Sequence, residues 1–115
     1  MTNKELQLEI AAKGDVSVVA IRGDLTAVTG GSVEEAYQGM TQEGVRKILL
    51  HFGKDCYINS GGIAILIGIA SASRKNGQAI RIAGLSGHFQ KIFHMMGLTK
   101  YVAVFPTEEE ALDGF

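Results

Sequence analysis

Residues 56–63, with the sequence CYINSGGI, carry the clearest chemical signal in this chain. A short apolar segment leads into Asn59 and Ser60, and two glycines then precede a long apolar helical pattern. Ser60 therefore lies where a helix N-cap is expected, beside unpaired N–H groups and the positive end of the helix dipole. Those same groups would stabilise a phosphate on the hydroxyl, which makes Ser60 a candidate phosphoacceptor. The alternative is that Ser60 only caps the helix and that Gly61 and Gly62 only permit close packing.

A serine between a strand and a helix could also be the nucleophile of a hydrolase. The segment NSGG matches the second half of the G-x-S-x-G motif, but Ile58 occupies the position of the first glycine. The residues that could serve as base or orienting carboxylate are His51, His88, His94, Asp24 and Asp55. Their spacing selects no triad, so the sequence favours a protein that catalyses no reaction by itself.

Composition limits the classes of function open to the chain. It has 115 residues, 46% of them hydrophobic, and a net charge of −1 from 11 basic and 12 acidic residues mixed along the sequence. No basic block suits nucleic acid, and the longest apolar stretch is about half of a bilayer span. One cysteine, Cys56, and three scattered histidines give no zinc-ligand spacing, and no P-loop is present. We therefore expect one cytoplasmic domain over residues 1–115, without metal, cofactor, nucleic acid or membrane.

Hydrophobic spacing predicts an α/β domain with the element order β-β-α-β-α-β-α-β-α. Alternation at Leu6, Leu8 and Ile10 predicts a half-buried first strand, which forms a hairpin with a second strand over residues 16–22. Three later strand–helix units predict parallel strands. The sheet is therefore expected to be mixed, with four or five strands and about four helices.

Four hydroxyl residues mark the expected helix starts, and two of them have a glutamate three residues later, as in a capping box. They are Ser32 with Glu35, Ser60, Ser86, and Thr107 with Glu110. In the third helix, the spacing predicts an inward face of Phe89, Ile92, Phe93 and Met96. The adjacent pair Met95 and Met96 is interpreted as core filling at the end of this helix.

Residues 58–62 (INSGG), within this element order, resemble the serine loop of STAS domains, specifically the stand-alone anti-sigma factor antagonists of bacteria. The resemblance covers essentially the whole chain. Its other segments are GDLT at 23–26, ILLHF at 48–52, AGLS at 83–86, MGL at 96–98 and FPT at 105–107. Because the pieces occur in order within one short domain, the resemblance favours the phosphoacceptor interpretation of Ser60 and implies a STAS-like fold.

The resemblance also implies a non-enzymatic protein that regulates transcription by partner switching. In the family, the serine matched by Ser60 is phosphorylated by an anti-sigma factor that is also a serine kinase, and a serine phosphatase removes the phosphate. The unphosphorylated protein binds the kinase and so releases a sigma factor. The residues expected to contact this partner are Thr26, Asn59, Ser60, Gly61, Gly62 and Ile63, of which the last three are predicted to form an apolar patch.

Four positions depart from the family pattern. Thr26 and Asn59 stand where Asp is usual, Gly61 where a second Ser is usual, and His51 where an acidic or amide residue is common. The phosphoacceptor hydroxyl is retained, whereas two carboxylates near it are missing. An alternative function is therefore a constitutive scaffold, or a ligand-sensing interaction module, that phosphorylation does not control. Self-association as a homodimer is left open.

Overall fold

The computed structural model describes residues 5–115, which form a five-stranded mixed sheet and a separate two-stranded sheet. The strands are β1 (Gln7–Lys13), β2 (Val16–Arg22), β3 (Asp24–Leu25), β4 (Lys47–Phe52), β5 (Tyr57–Ile58), β6 (Ala79–Ala83) and β7 (Ala103–Phe105). The helices are α1 (Gly31–Gln42), α2 (Ser60–Lys75), α3 (Gly87–Met95) and α4 (Glu108–Leu112), with a 3-10 helix at Leu98–Lys100. The large sheet has the order β1-β2-β4-β6-β7, and β3 pairs with β5. The predicted α/β architecture with an N-terminal hairpin is thus confirmed.

The chain enters the large sheet through a tight hairpin and completes the sheet with parallel strands. β1 and β2 are antiparallel, and Gly14, with a φ of 63°, supplies the left-handed turn position between them. β2, β4, β6 and β7 run parallel to one another. Their carboxyl ends therefore meet at one edge, and Ser60 follows β5 in the connection that leaves β4 at that edge.

Alternate residues of the central strands enter two separate cores. Val19 and Leu50 pack in the larger core with residues of α1, α2 and α3. Val18 and Leu49 pack in the smaller core with Ala111 of α4. Because β2 and β4 are covered on both faces, their sequences are nearly continuous apolar runs rather than alternating ones.

Helix α2 has a buried apolar side and an outer side of small residues. Ile63, Leu66 and Ile69 are buried, whereas Ala64 and Gly68 are exposed. This helix has 16 residues, and no helix in residues 5–115 is long and apolar enough to cross a membrane.

Helix α4 is anchored at its carboxyl end by the guanidinium group of Arg81 in β6. Arg81 donates hydrogen bonds to the main-chain carbonyls of Ala111, Asp113 and Gly114, over 3.0 to 3.2 Å. The guanidinium carbon also lies 5.2 Å from the ring centroid of Phe105 and 4.4 Å from that of Phe115. These carbonyls have no intrahelical donor at a helix end, so Arg81 satisfies them while it stacks between two rings.

At the amino end of α4, Glu108 connects the helix to β1 and β4. Its carboxylate pairs with Lys13, and its Oε1 lies 3.1 Å from Nδ1 of His51. The hydrogen bond from Lys13 is the main reason why the pKa of Glu108 is lowered from its ordinary value of 4.5. Because the pKa is lowered in the folded state, this pairing stabilises the fold at higher pH. The contribution is lost as the pH falls through the folded-state value.

Two features of the N-terminal region differ from the prediction. β1 is largely exposed rather than half-buried, and Ile10 is 48% exposed, because β1 lies at the edge of the sheet. The region after β2, where the predicted element order has no strand before the first helix, contains β3. A strand of two residues is too short to show an alternating pattern.

The predicted helix caps are partly confirmed. Ser86 accepts a hydrogen bond from the N–H of Phe89, and Thr107 accepts one from the N–H of Glu110. The cap predicted at Ser32 is wrong, since α1 begins one residue earlier and has no side-chain cap. The preceding turn already brings the chain into a helical conformation at Gly30, so no cap is formed there.

The end of α3 also differs from the prediction. Met95 and Met96 are 81% and 53% exposed, so neither fills the core as expected. The helix ends at Met95, and Gly97, with a φ of 81°, turns the chain in a left-handed conformation. Leu98, which is fully buried, then belongs to the larger core, two residues after Met96.

Arg81→Met tests the anchoring of α4. The variant loses three hydrogen bonds from a charged donor, and we expect the free energy of unfolding in urea to fall by about 2 kcal/mol. Arg74→Met is the matched control, because the Arg74 side chain is exposed and its only interaction found within residues 5–115 is with the ring of Tyr101. It should change stability by less than about 0.5 kcal/mol. Equal stability of Arg81→Met and wild type would show that Arg81 does not hold α4.

Candidate functional site

The small sheet formed by β3 and β5 sets the position of Ser60. Leu25 pairs with Ile58 in this parallel sheet, and the N–H of Asn59 donates to the carbonyl of Leu25 over 3.2 Å. The chain then turns directly into α2 with Ser60 as its first residue. Backbone pairing on the residues just before the helix therefore fixes where the Ser60 hydroxyl points into solvent.

Asn59, rather than Ser60, caps α2. The side-chain carbonyl of Asn59 accepts the N–H of Gly62 over 2.9 Å, and its backbone is extended, as expected for an N-cap. The prediction that Ser60 is the cap is wrong by one residue. Both residue types are good caps, and the pairing of β3 with β5 decides between them because it places the extended residue at position 59.

Ser60 is exposed and holds its hydroxyl at the positive end of a long helix. No hydrogen bond of the Ser60 side chain is found within residues 5–115, so the hydroxyl is not used in the fold. The N–H groups of Ser60 and Gly61 are among those that an α-helix leaves without an intrahelical acceptor. The first turn of α2 contains no acidic residue. A phosphate added here would meet available donors and a favourable dipole.

Gly61 and Gly62 are packing residues rather than an exposed patch. A Cβ atom at Gly62 would lie 2.3 Å from the carbonyl oxygen of Leu25, and one at Gly61 would lie 2.8 Å from the Cβ of Ala27. Ile63 is only 4% exposed and belongs to the larger core. The prediction that Gly61, Gly62 and Ile63 form an exposed apolar patch is therefore wrong, because these residues hold α2 against residues 25–27.

Thr26 organises the loop that lies against the first turn of α2. Its hydroxyl accepts the N–H groups of Val28 and Thr29 over 3.2 and 3.3 Å. The Thr29 hydroxyl accepts the N–H of Thr26 over 2.9 Å and donates to the carbonyl of Asp24 over 2.7 Å. These bonds fix the loop with hydroxyl groups, so a carboxylate at position 26 is not needed to shape it. Contact between Thr26 and a partner remains a prediction.

Val28 is a candidate contact residue that the sequence analysis missed. Its side chain is 92% exposed, and its neighbour Ala27 is both exposed and packed on Gly61. Ala64, one turn after Ser60, is also exposed. Together with Ser60 these residues form an uncharged surface of small and apolar groups. The sequence signal that could have identified Val28 is an isolated valine in a loop rich in threonine and glycine.

The groups that a hydrolase would need are engaged elsewhere. His51 pairs with Glu108, Nδ1 of His94 lies 3.2 Å from the hydroxyl of Thr99, and the ring of His88 packs on Phe89. Within residues 5–115, no histidine forms a hydrogen bond with Ser60. The Ser60 hydroxyl is therefore not activated by a base in this arrangement.

Cys56 precedes the site but is not reactive. Its side chain is buried, and burial above all raises the pKa of the thiol to about 11, with a smaller contribution from the charge of Asp24. A thiol with this pKa is protonated at neutral pH, and the thiolate is the nucleophilic form. Cys56 thus acts as a small apolar core residue.

The chain is similar to proteins of known family over most of its length. The family model of the STAS domain matches residues 7–111. The anti-sigma-B factor antagonist of Staphylococcus aureus (strain NCTC 8325 / PS 47) is 27% identical over 93 residues, which span 81% of this chain and 86% of that protein.

Solved structures of other proteins also share the fold. The crystal structure of an anti-sigma factor antagonist from Mycobacterium paratuberculosis has a TM-score of 0.81 at 21% identity, covering 94% of this chain and 92% of the other. The phosphorylated form of the Bacillus cell fate determinant SpoIIAA has a TM-score of 0.65 at 19% identity, covering 94% of this chain and 96% of the other. At these identities the likeness establishes the fold.

Gly62→Ala and Gly68→Ala test the packing that positions Ser60. Both glycines lie in α2, but a Cβ at Gly68 meets nothing within 4 Å. Gly68→Ala should stabilise the protein by up to about 1 kcal/mol, because alanine favours the helix. Gly62→Ala should destabilise it by about 1–3 kcal/mol, because the new methyl group would overlap the Leu25 carbonyl. Urea denaturation measures both, and stabilisation by Gly62→Ala would contradict the close contact.

Proposed function

This chain belongs to the STAS domain family, and from that premise we propose that it is an anti-sigma factor antagonist controlled by phosphorylation of Ser60. In this proposal the unphosphorylated protein binds an anti-sigma factor that is also a serine kinase, and a sigma factor is released. Phosphorylation ends the binding, and a serine phosphatase restores it. The relative from Staphylococcus aureus, which is named an antagonist of an anti-sigma factor, supports this assignment.

The observation that carries the proposal is the placement of the Ser60 hydroxyl. It is exposed, it has no role in the fold, and it lies in the first turn of a helix whose cap is a different residue. A kinase can therefore reach and modify it without first breaking a structural bond. The dipole and the free N–H groups of the first turn favour a negative group at this position, so the fold tolerates the phosphate.

The surface around Ser60 is uncharged, and for this reason a phosphate on Ser60 would weaken the binding of a partner. The candidate contact surface consists of Ala27, Val28, Ser60 and Ala64, and none of these side chains is charged. A phosphate adds about −1.5 to −2 charges to this surface, and a partner packed on it would have to remove water from that charge. A loss of about 3–4 kcal/mol would weaken binding a few hundredfold, which is enough for a switch.

Asn59 caps the helix next to the proposed phosphoacceptor without adding a negative charge there. Its amide caps the helix as an aspartate would, but it brings no negative charge next to the phosphoacceptor. The phosphorylated state is therefore not opposed by a like charge at position 59. We propose Asn59 and Thr26 as positioning residues of the site, with Asn59 acting on the helix and Thr26 on the adjoining loop.

The protein is proposed to act by binding and not by catalysis. The engagement of all three histidines away from Ser60 supports this, as does the raised pKa of Cys56. The alternative, a constitutive scaffold or ligand-sensing module, shares the same fold and surface. The two differ in whether partner binding responds to charge at position 60, so binding to variants at that position discriminates between them.

Ser60→Ala and Ser60→Asp should differ in partner binding while both remain folded. Because Asn59 provides the cap, the free energy of unfolding of Ser60→Ala should lie within about 0.5 kcal/mol of the wild-type value. Ser60→Asp should be slightly more stable than wild type, because its negative charge interacts favourably with the helix dipole. When the tagged variants are purified from the cells of origin, the kinase should co-purify with Ser60→Ala but not with Ser60→Asp. Mass spectrometry of the co-purified proteins provides the readout.

The control is Ser71→Asp, which adds the same charge at an exposed position of α2 eleven residues after Ser60. It should retain the partner as wild type does, because position 71 lies outside the candidate contact surface. Equal retention of the partner by wild type, Ser60→Ala and Ser60→Asp would refute the switch and favour the constitutive module.

A further inference from the structure

The two edges of the large sheet are protected to different degrees. β7 is an edge strand of three residues and is followed by Pro106, both of which limit pairing with another chain. β1, the other edge, has seven residues in continuous pairing with β2 and contains no proline. No described strand lies beyond β1. Every second residue of β1 therefore directs its N–H and C=O groups away from the sheet.

The side chains of β1 separate into an apolar face and a charged face. Ile10 lies opposite Val19 and Ala12 opposite Ser17, on the side of the sheet covered by α1. Glu9 lies on the other side and is exposed, and no ion pair of Glu9 is found in residues 5–115. Lys13 lies on the same side as Glu9, and its side chain is 49% exposed although it pairs with Glu108.

We propose that β1 pairs antiparallel with β1 of a second copy of this chain, so that two five-stranded sheets become one of ten strands. With the two-fold axis at Ala11, Glu9 of each copy lies opposite Lys13 of the other. In the same register, Ile10 of each copy lies opposite Ala12 of the other. The interface then has two opposite-charge pairs on one face and two apolar pairs on the other. Moving the axis to Ile10 would place Glu9 opposite Ala11 and lose both charge pairs.

This dimer leaves the Ser60 sites free and does not rest on the proposed function. Because the two β1 strands are antiparallel, the parallel strands of one copy run opposite to those of the other. Ser60 follows β5 near the carboxyl ends of those strands. The two Ser60 sites therefore lie at opposite ends of the strands in the ten-stranded sheet. One dimer therefore presents two separate partner-binding sites.

Charge-reversal variants test whether β1 pairs with β1 of a second copy of this chain. Glu9→Lys places lysine opposite lysine twice, and Lys13→Glu places glutamate opposite glutamate twice. Each variant alone should raise the dimer dissociation constant at least about tenfold in sedimentation velocity. An equimolar mixture of the two restores both opposite-charge pairs. Native mass spectrometry should therefore show the mixed dimer at well over twice the amount of either homodimer, the ratio that random pairing would give. Lys91→Glu and Glu109→Lys, exposed changes on α3 and α4, are controls that should dimerise as wild type does.

A cysteine placed on the axis tests the register. Ala11→Cys should form an intermolecular disulfide under mild oxidation, since facing residues of antiparallel strands have Cα atoms about 4.5–5.5 Å apart. Ile10→Cys should not, because it faces Ala12, and the buried Cys56 does not compete. Thermal melts identify a variant that fails to fold. A wild-type chain that stays monomeric at millimolar concentration, or charge variants that dimerise as tightly as wild type without preferring the mixed dimer, would overturn the proposal.

Discussion

The close approach of residues 25–27 to the first turn of α2 is the constraint on which the candidate site depends. No side chain larger than a hydrogen atom fits at Gly62, where a Cβ would lie 2.3 Å from a backbone carbonyl oxygen. This approach lets β3 pair with β5, and that pairing makes Asn59 extended and places Ser60 at the start of the helix. The glycines thus position the serine from inside the protein, which matches the close-packing alternative of the sequence analysis and not the predicted apolar patch.

Two properties of the site follow from this packing and are independent of any partner. The cap and the candidate phosphoacceptor are separate residues, so chemistry at Ser60 need not disturb the helix. The exposed groups beside Ser60 are small and uncharged, which makes a phosphate the dominant charge of the surface once it is added. A large change in binding can therefore accompany a small change in structure.

The sequence predicted the larger elements well because their signals are local. The hairpin of β1 and β2 and the caps at Ser86 and Thr107 can be recognised within a few residues. The site was harder to predict, because Asn59 and Ser60 are both competent caps. The choice between them is made by a two-residue strand pairing with residues more than thirty positions earlier. The burial of Ile63 and the exposure of Val28 also depend on that distant contact.

The most direct test of the central claim is the intact mass of the protein purified from its own cells, before and after treatment with a serine phosphatase. The account predicts a fraction of molecules carrying one phosphate, which fragmentation assigns to Ser60 and which the phosphatase removes. The phosphate should be absent from Ser60→Ala and present in Ser71→Ala, since Ser71 is an exposed serine on the same helix. A phosphate that persists in Ser60→Ala, or wild-type protein that stays unmodified in every growth phase, would contradict the account.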